Sequence, residues 1–244
     1  MVIQMTRINA AKFDHAGINR KIREANGDCE LYGCLGERFI AAGLEEGDIR
    51  IDGVPGNALG AYLNGAHITV HGNTQDAVGD TMNDGEIVIH GNIGDAAGYA
   101  MRGGRIFIRG NAGYRAGIHM KEYKEKRPVM VIGGKCGSFL GEYQAGGVII
   151  VLGLTEDERD IVSNFPGTGM HGGVMFLRSD CKNIRFPRNV TARPATPEDM
   201  AGIDGILDDF CGIFNLDKSM VASAPFTKVV PDSKNPYKQM YVAN

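Results

Sequence analysis

Apolar and polar residues alternate along this chain in short bursts that recur at a fixed distance. Ile68-Thr-Val70, Ile87-Val-Ile89 and Ile106-Phe-Ile108 each alternate with a period of two, and each lies 19 residues beyond the one before. The positions around them repeat as well. Gly53, Gly72, Gly91 and Gly110 share one frame, with Asn73, Asn92 and Asn111 behind the last three. Gly60, Gly79, Gly98 and Gly117 follow in step, and then Leu63, Met82, Met101 and Met120. After an insertion the frame restarts at Gly134, with Gly141, Gly147, Ile149-Ile-Val151 and Gly153 in their places. Nineteen residues are too few for a two-helix repeat, and no 3.6-residue spacing lies inside the unit. Each strand therefore pairs with its copy in the next coil, parallel and in register, about 4.8 Å away. The pattern predicts an all-β solenoid: a single-stranded right-handed parallel β-helix with coils of about 19 residues. The glycines turn its corners, where φ > 0 carries no Cβ penalty. Ala58, Ala77, Ala96 and Ala116 keep the corners small enough for the coils to stack.

Register assigns the faces. Ile68, Ile87, Ile106 and Ile149 form one inward column, and Val70, Ile89, Ile108 and Val151 a second. Between them runs an outward column, Arg50, Thr69, Val88, Phe107, Val131 and Ile150. Outward positions facing water are expected to be polar, yet this column is apolar from Val88 onward. Val88, Phe107, Val131 and Ile150 are thus a possible interface, because an apolar ridge of this kind marks something docked on it. One occupant is the chain's own C-terminal helix, whose Met200, Ile203, Ile206, Leu207 and Phe210 recur on one face. The other is a partner subunit or a second copy of the chain, as in a homo-oligomer.

The ends close the ladder. Residues 9–26 are expected to form a cap helix, started by Asn9 or Asp14, with Ile18, Ile22 and Ala25 on one face and Asn26-Gly27 at its end. The solenoid is placed at 34–178, with Cys34 to Asp52 as a degenerate first coil. Lys121-Glu-Tyr-Lys-Glu-Lys-Arg-Pro128 is a charged insertion, and residues 154–165 a charged helix or loop. Residues 179–244 make up the remainder, with 178–195 an extended connector. A helix then starts at Thr196-Pro197-Glu198-Asp199 and continues to Phe214 despite Gly202, Gly205 and Gly212. Residues 215–244 follow as an extended tail. The organisation expected is a single domain, 1–244.

Composition narrows the class. Gly contributes 35 of 244 residues, roughly double the usual share of about 7%, and the frame above accounts for them as architecture. A net charge of −3 gives no reason to expect nucleic acid or an anionic membrane as partner. No apolar run approaches the roughly 20 residues of a membrane span. Without a signal-peptide h-region, a cytoplasmic location is expected. The five cysteines (29, 34, 136, 181 and 211) fit neither a zinc nor an iron–sulfur spacing.

Candidate chemistry is thin. His71 and His90 share a column whose next member is Arg109, which cannot coordinate a metal. Asp76, Asp80, Asp84 and Asp95 fall near turns, where Asp side chains bond the backbone. Gly91-Asn-Ile-Gly94 and Gly133-Gly-Lys-Cys-Gly137 lead into further coils and not into the helix N-terminus that a phosphate loop needs. Cys136 occupies the slot of Ile93 and Ala112, which makes it a buried thiol. No catalytic, cofactor-binding or metal-binding residue is assigned, and no cofactor is expected.

The run Gly141-x-x-x-x-Gly-Gly147-Val-Ile-Ile-Val-Leu-Gly153 followed by Gly167-x-Gly-Met-x-Gly-Gly173 resembles the GXGXG β-helix domain that ends the large chain of glutamate synthase. Asn83-Asp-Gly-Glu-Ile-Val-Ile-His-Gly91, Met101-Arg-Gly-Gly-Arg-Ile-Phe-Ile-Arg109 and Gly113-Tyr-Arg-Ala-Gly-Ile-His-Met-Lys121 are similar to stand-alone glutamate synthase domain 3-like proteins. The likeness runs from the Asn19–Arg23 helix to Gly173, and Phe226-Thr-Lys-Val-Val-Pro231 is similar to a segment near the end of the large chain. A related form resembles one of the subunits of formylmethanofuran dehydrogenase. The resemblance implies a non-catalytic subunit that braces an amidotransferase subunit and an FMN/iron–sulfur subunit in glutamate biosynthesis. Two alternatives stand beside it: a scaffold subunit of a formylmethanofuran dehydrogenase-type molybdenum or tungsten enzyme, and an independent enzyme using acids on one face.

Overall fold

A computed structural model describes residues 5–233. Nine strands stack in chain order into one parallel ladder: β1 (Thr6–Asn9), β2 (Cys29–Leu35), β3 (Asp48–Val54), β4 (Asn64–Val70), β5 (Asp84–Ile89), β6 (Arg105–Ile108), β7 (Val129–Ile132), β8 (Ala145–Val151) and β9 (Gly172–Leu177). Their register is the one the repeat dictates. Ile49, Ile68, Ile87, Ile106, Met130, Ile149 and Met175 pair in succession, as do Ile51, Val70, Ile89, Ile108, Ile132, Val151 and Leu177. Both columns are buried and form the spine of the core. Two more strands end the sheet. β10 (Val190–Pro194) pairs antiparallel with β11 (Thr227–Pro231), which itself pairs antiparallel with β9.

The corner opposite the strands is built from left-handed residues. Gly79 has φ +68°, and a Cβ there would come within 2.6 Å of Ile106 Cδ1. Two residues to either side, non-glycine residues adopt the same conformation: Ala77 at +56° and Thr81 at +53°. The arrangement recurs around Gly60, Gly98, Gly117 and Gly141, and one column of it contains Ala58, Ala77, Ala96, Arg115, Phe139 and Phe165. Each such non-glycine residue costs roughly 1–2 kcal/mol. Rungs between coils hold them there: Ala58 N–H donates to Asp76 O at 2.9 Å, Gly60 N–H to Ile40 O at 2.9 Å, and Tyr62 N–H to Asp80 O at 2.7 Å. Of the four alanines expected at the corner, Ala116 belongs elsewhere; Arg115 fills its place in this column.

The N-terminal end differs from the expectation in extent. The ladder begins at Thr6, ahead of the expected boundary at 34. The β2–β3 pairing is offset by 20 residues at Cys29–Ile49 and shifts again after Leu31, which hides these strands from a 19-residue frame. Within 9–26, only α1 (His15–Glu24) is α-helical. Asn9 caps a short 3-10 turn at Ala10–Lys12, and Asp14 caps α1 by accepting from Gly17 N–H at 2.7 Å. Ile18 and Ile22 are buried. Asn19 Nδ2 donates to Phe39 O, and an Arg23 guanidinium N–H to Ala42 O, so α1 covers the first corner.

The C-terminal end is corrected more. The expected connector carries β10, and part of the expected tail folds as β11 and a short helix at Lys218–Ala222. Pro236 and the rest of the tail lie outside the described residues. The single helix expected from Thr196 to Phe214 is two, α2 (Pro197–Ala201) and α3 (Asp204–Phe214), broken at Gly202-Ile203. Thr196 and Asp199 form a reciprocal capping box. Asp199 also bonds Arg193 at 2.6 Å and Lys228 at 2.5 Å, tying α2 to β10 and β11. Residues 154–165 contain no helix. Buried Lys135 pins this loop, its ammonium donating to Asp157 O, Asp157 Oδ1 and Arg159 O at 2.5–2.7 Å.

Helix α3 lies over the outward column. Val88, Phe107, Val131, Ile150 and Phe176 form one buried cluster with Ile203, Leu207, Phe210 and Cys211. Phe107 and Phe210 meet edge to face at 6.1 Å. The four residues marked as a possible interface therefore face the chain's own helix. Burying several large side chains, at roughly 25 cal/mol per Å², is why this helix stays docked.

Candidate partner-docking surface

Most of the polar groups that might carry chemistry are already committed to holding one coil on the next. Asn73 Oδ1 accepts from Asn92 N–H at 2.8 Å, Asn92 Oδ1 from Asn111 N–H at 2.8 Å, and Asn111 Oδ1 from Lys135 N–H at 2.7 Å. The carboxylates of Asp76 and Asp95 likewise accept from Asp95 N–H and Tyr114 N–H, both at 2.8 Å. Asp80 takes the Thr81 hydroxyl, and Asp84 pairs with Lys126 of the insertion. The Lys126 ammonium and Gly85 N–H hold the Asp84 carboxyl below the usual carboxylate range. The four aspartates are spread along the rungs with these separate partners.

The histidine column stacks as its spacing requires. His71 and His90 lie 5.1 Å apart at 29°, and Phe214 of α3 meets His90 edge-on at 5.3 Å. Burial, then the neighbouring His71, lowers the His90 pKa. Among the described residues no group of three His, Cys, Asp or Glu side chains is placed to hold a metal ion. All five cysteines are buried. Cys136 bridges Ala112 and Val162 in the ladder, and burial pushes its thiol up to about 12. Cys29 and Cys34 are pushed equally high by the same cause. In the Gly133–Gly137 run, a Cβ on Gly134 would lie 2.3 Å from Asn111 Oδ1 and 2.8 Å from Gly110 C. Those glycines let coils touch.

One surface left open to a partner is the left-handed corner. In the later coils its column changes from alanine to Arg115, Phe139 and Phe165. The Arg115 guanidinium sits 5.1 Å over the Phe139 ring, and Phe139 and Phe165 follow at 5.2 Å. Glu142 holds Arg115 in place at 2.9 Å. Beside them His119 and Tyr143 stack at 5.2 Å and 9°, and Tyr99 approaches His119 at 5.8 Å. Phe165 is 55% exposed and Tyr114 54% exposed, so this aromatic array is not core. Bulky side chains in left-handed backbone are genuine outliers, and such residues cluster where a surface has a use. The signal was present in the repeat: two residues before each corner glycine stand Ala58, Ala77, Ala96, Arg115, Phe139 and Phe165. Attention to the strand columns alone passes over it.

No helix among the described residues is long and apolar enough to cross a membrane. The family described as "GXGXG motif" matches residues 18–232. Uncharacterized protein MJ1350 of Methanocaldococcus jannaschii is 42% identical over 248 residues, covering 96% of this chain and 95% of that protein.

Proposed function

The chain belongs to the GXGXG motif family, and from that premise we propose that it is the non-catalytic β-helix subunit of a split, glutamate synthase-like oxidoreductase complex. In this reading it braces an amidotransferase subunit and an FMN/iron–sulfur subunit in the cytoplasm and serves glutamate biosynthesis in nitrogen metabolism. The observation that carries it is the aromatic corner, a rigid column in which exposed Arg115 and Phe165 flank a half-buried Phe139 and which no helix among the described residues covers. A brace needs such a column: its residues are spaced by the coil rise and locked by the rungs beneath, so docking orders few side chains. The commitment of the Asn and Asp side chains to rung bonds fits a part that holds others in position.

Reconstitution tests this. The full chain is mixed with the separately purified amidotransferase and FMN/iron–sulfur subunits from the same source. Size-exclusion chromatography then follows assembly, and glutamine-dependent glutamate formation follows function. The expected result is one complex containing all three, with glutamate formation that falls away when this chain is omitted. Alone, the chain is expected neither to release ammonia from glutamine nor to show a flavin spectrum. Failure to associate with either subunit, or steady ammonia release by the chain alone, overturns the reading.

A further inference from the structure

A cleft of about 340 Å³ opens along the start of the strands, beside the corner and away from α3. The repeat explains its chemistry. Asn64, Asn83, Arg102, Lys121, Ala145 and His171 occupy equivalent places in successive coils, each backbone N–H donating to the coil before. Asparagine gives way to Arg102 and then Lys121, about 4.8 Å further along. Ala145 then leaves space, and His171 closes the far side. Tyr99, His119 and Tyr143 complete the wall.

The lining holds two fixed positive charges, two imidazoles and no carboxylate. Neither cation is neutralised nearby: among the described residues Arg102 and Lys121 have no ion pair. On the side of this cleft the adjacent carboxylates are engaged elsewhere, Glu142 with Arg115 at 2.9 Å and Glu122 with Arg127 at 3.3 Å and Gly147 N–H at 3.1 Å, while Glu45 borders Arg102 only in the neighbouring cleft toward the first coils. Arg102 Nε is buried and donates to no acceptor. An unmet buried donor on a guanidinium is costly unless an acceptor arrives. His171 Nδ1–H donates to Gly169 O at 3.0 Å, which fixes its ring with the other nitrogen free. In a chain of net charge −3, such a carboxylate-free concavity is a selective feature.

We propose that this cleft binds a small doubly charged oxyanion, a phosphate group or a short dicarboxylate, with Arg102 as the fork and Lys121 as the second charge. A planar guanidinium meets two oxygens of such a group side by side, while the ammonium one coil away balances the remaining charge. The proposal does not depend on the assembly role above.

Isothermal titration of the full chain with inorganic phosphate and, separately, with succinate tests it and distinguishes the two sources. One of the two is expected to bind saturably at one site per chain. Arg102→Gln is expected to weaken that binding about tenfold or more. Arg102→Lys, which keeps the charge and loses the fork, falls between. Lys121→Gln, at an exposed position where folding is not at stake, weakens binding about threefold. Lys12→Gln, far from the cleft, leaves it unchanged. Circular dichroism and thermal melting confirm that the variants fold. No saturable binding of either anion overturns the proposal, and so does binding that Arg102→Gln and Lys121→Gln both leave intact.

Discussion

Two columns of this solenoid carry large apolar side chains outside the core, and they have opposite fates. Val88, Phe107, Val131, Ile150 and Phe176 point outward from the sheet and disappear beneath α3. Phe139 and Phe165 stand on the corner, in left-handed backbone, and among the described residues no helix lies over them, whereas α1 covers Phe39 at the first corner. Stacking at coil spacing creates both. The sheet column needs no backbone strain and offers a flat ridge that an amphipathic helix can cover. The corner column is convex and strained, and suits a partner with its own concave surface. A repeat thus makes apolar columns readily, and whether one becomes core or surface depends on what else the chain supplies.

The sharpest contrast between them is Phe107→Asp against Phe165→Asp, the first buried and the second 55% exposed. The first places a carboxylate under Phe210 with no partner, and is expected to cost about 4 kcal/mol or more and to release α3. The second is expected to change stability by less than about 1 kcal/mol, because the site is at the surface and Asp tolerates left-handed backbone. Urea denaturation measures both. Similar losses would mean that the corner is packed as the ridge is.

Within the corner, exchanging glycine and alanine separates packing from backbone strain. Gly79→Ala is expected to cost about 2 kcal/mol, from the conformation and the Cβ that would meet Ile106 Cδ1 at 2.6 Å. Ala77→Gly, two residues earlier at φ +56°, is expected to gain up to about 1 kcal/mol. If thermal melting shows Ala77→Gly destabilising, the left-handed corner carries no strain and its use as a signal fails.

The smallest expected effect lies at the edge of the covered face. Burial and His71 lower the His90 pKa, so the folded chain binds fewer protons than the unfolded one below pH 6.5. Stability should therefore be greatest above pH 6.5 and fall as pH drops through the depressed pKa. His90→Gln should flatten that slope in the melting temperature, whereas a substitution at Lys12 should not.

The strands from β3 to β9 were legible because a period multiplies weak signals: Ile68 alone says little, and Ile68, Ile87 and Ile106 in step say a great deal. β1 and β2 escaped notice because the bulge after Leu31 and the 20-residue offset take them out of step. β10 and β11 pair antiparallel, once, so no repetition announces them. The break between α2 and α3 sits at Gly202, a residue that helices often tolerate, and only the docking of α3 on the ridge decides it. The apolar ridge could be seen in sequence with its two candidate occupants. The aromatic corner was marked only by its place two residues before the corner glycines, because nothing in Phe139 or Phe165 themselves signals left-handed backbone. Rungs above and below impose it.

Hydrogen exchange on this chain, alone and within the reconstituted complex, tests the division between covered and open columns most directly. The account predicts that assembly slows exchange in the corner segments 113–119, 137–143 and 163–169. It predicts no change in α3, which is already docked in the free chain. Protection gained at 204–214 with the corner unaffected would contradict it, and would return the ridge of Phe107 to the role of an interface between chains.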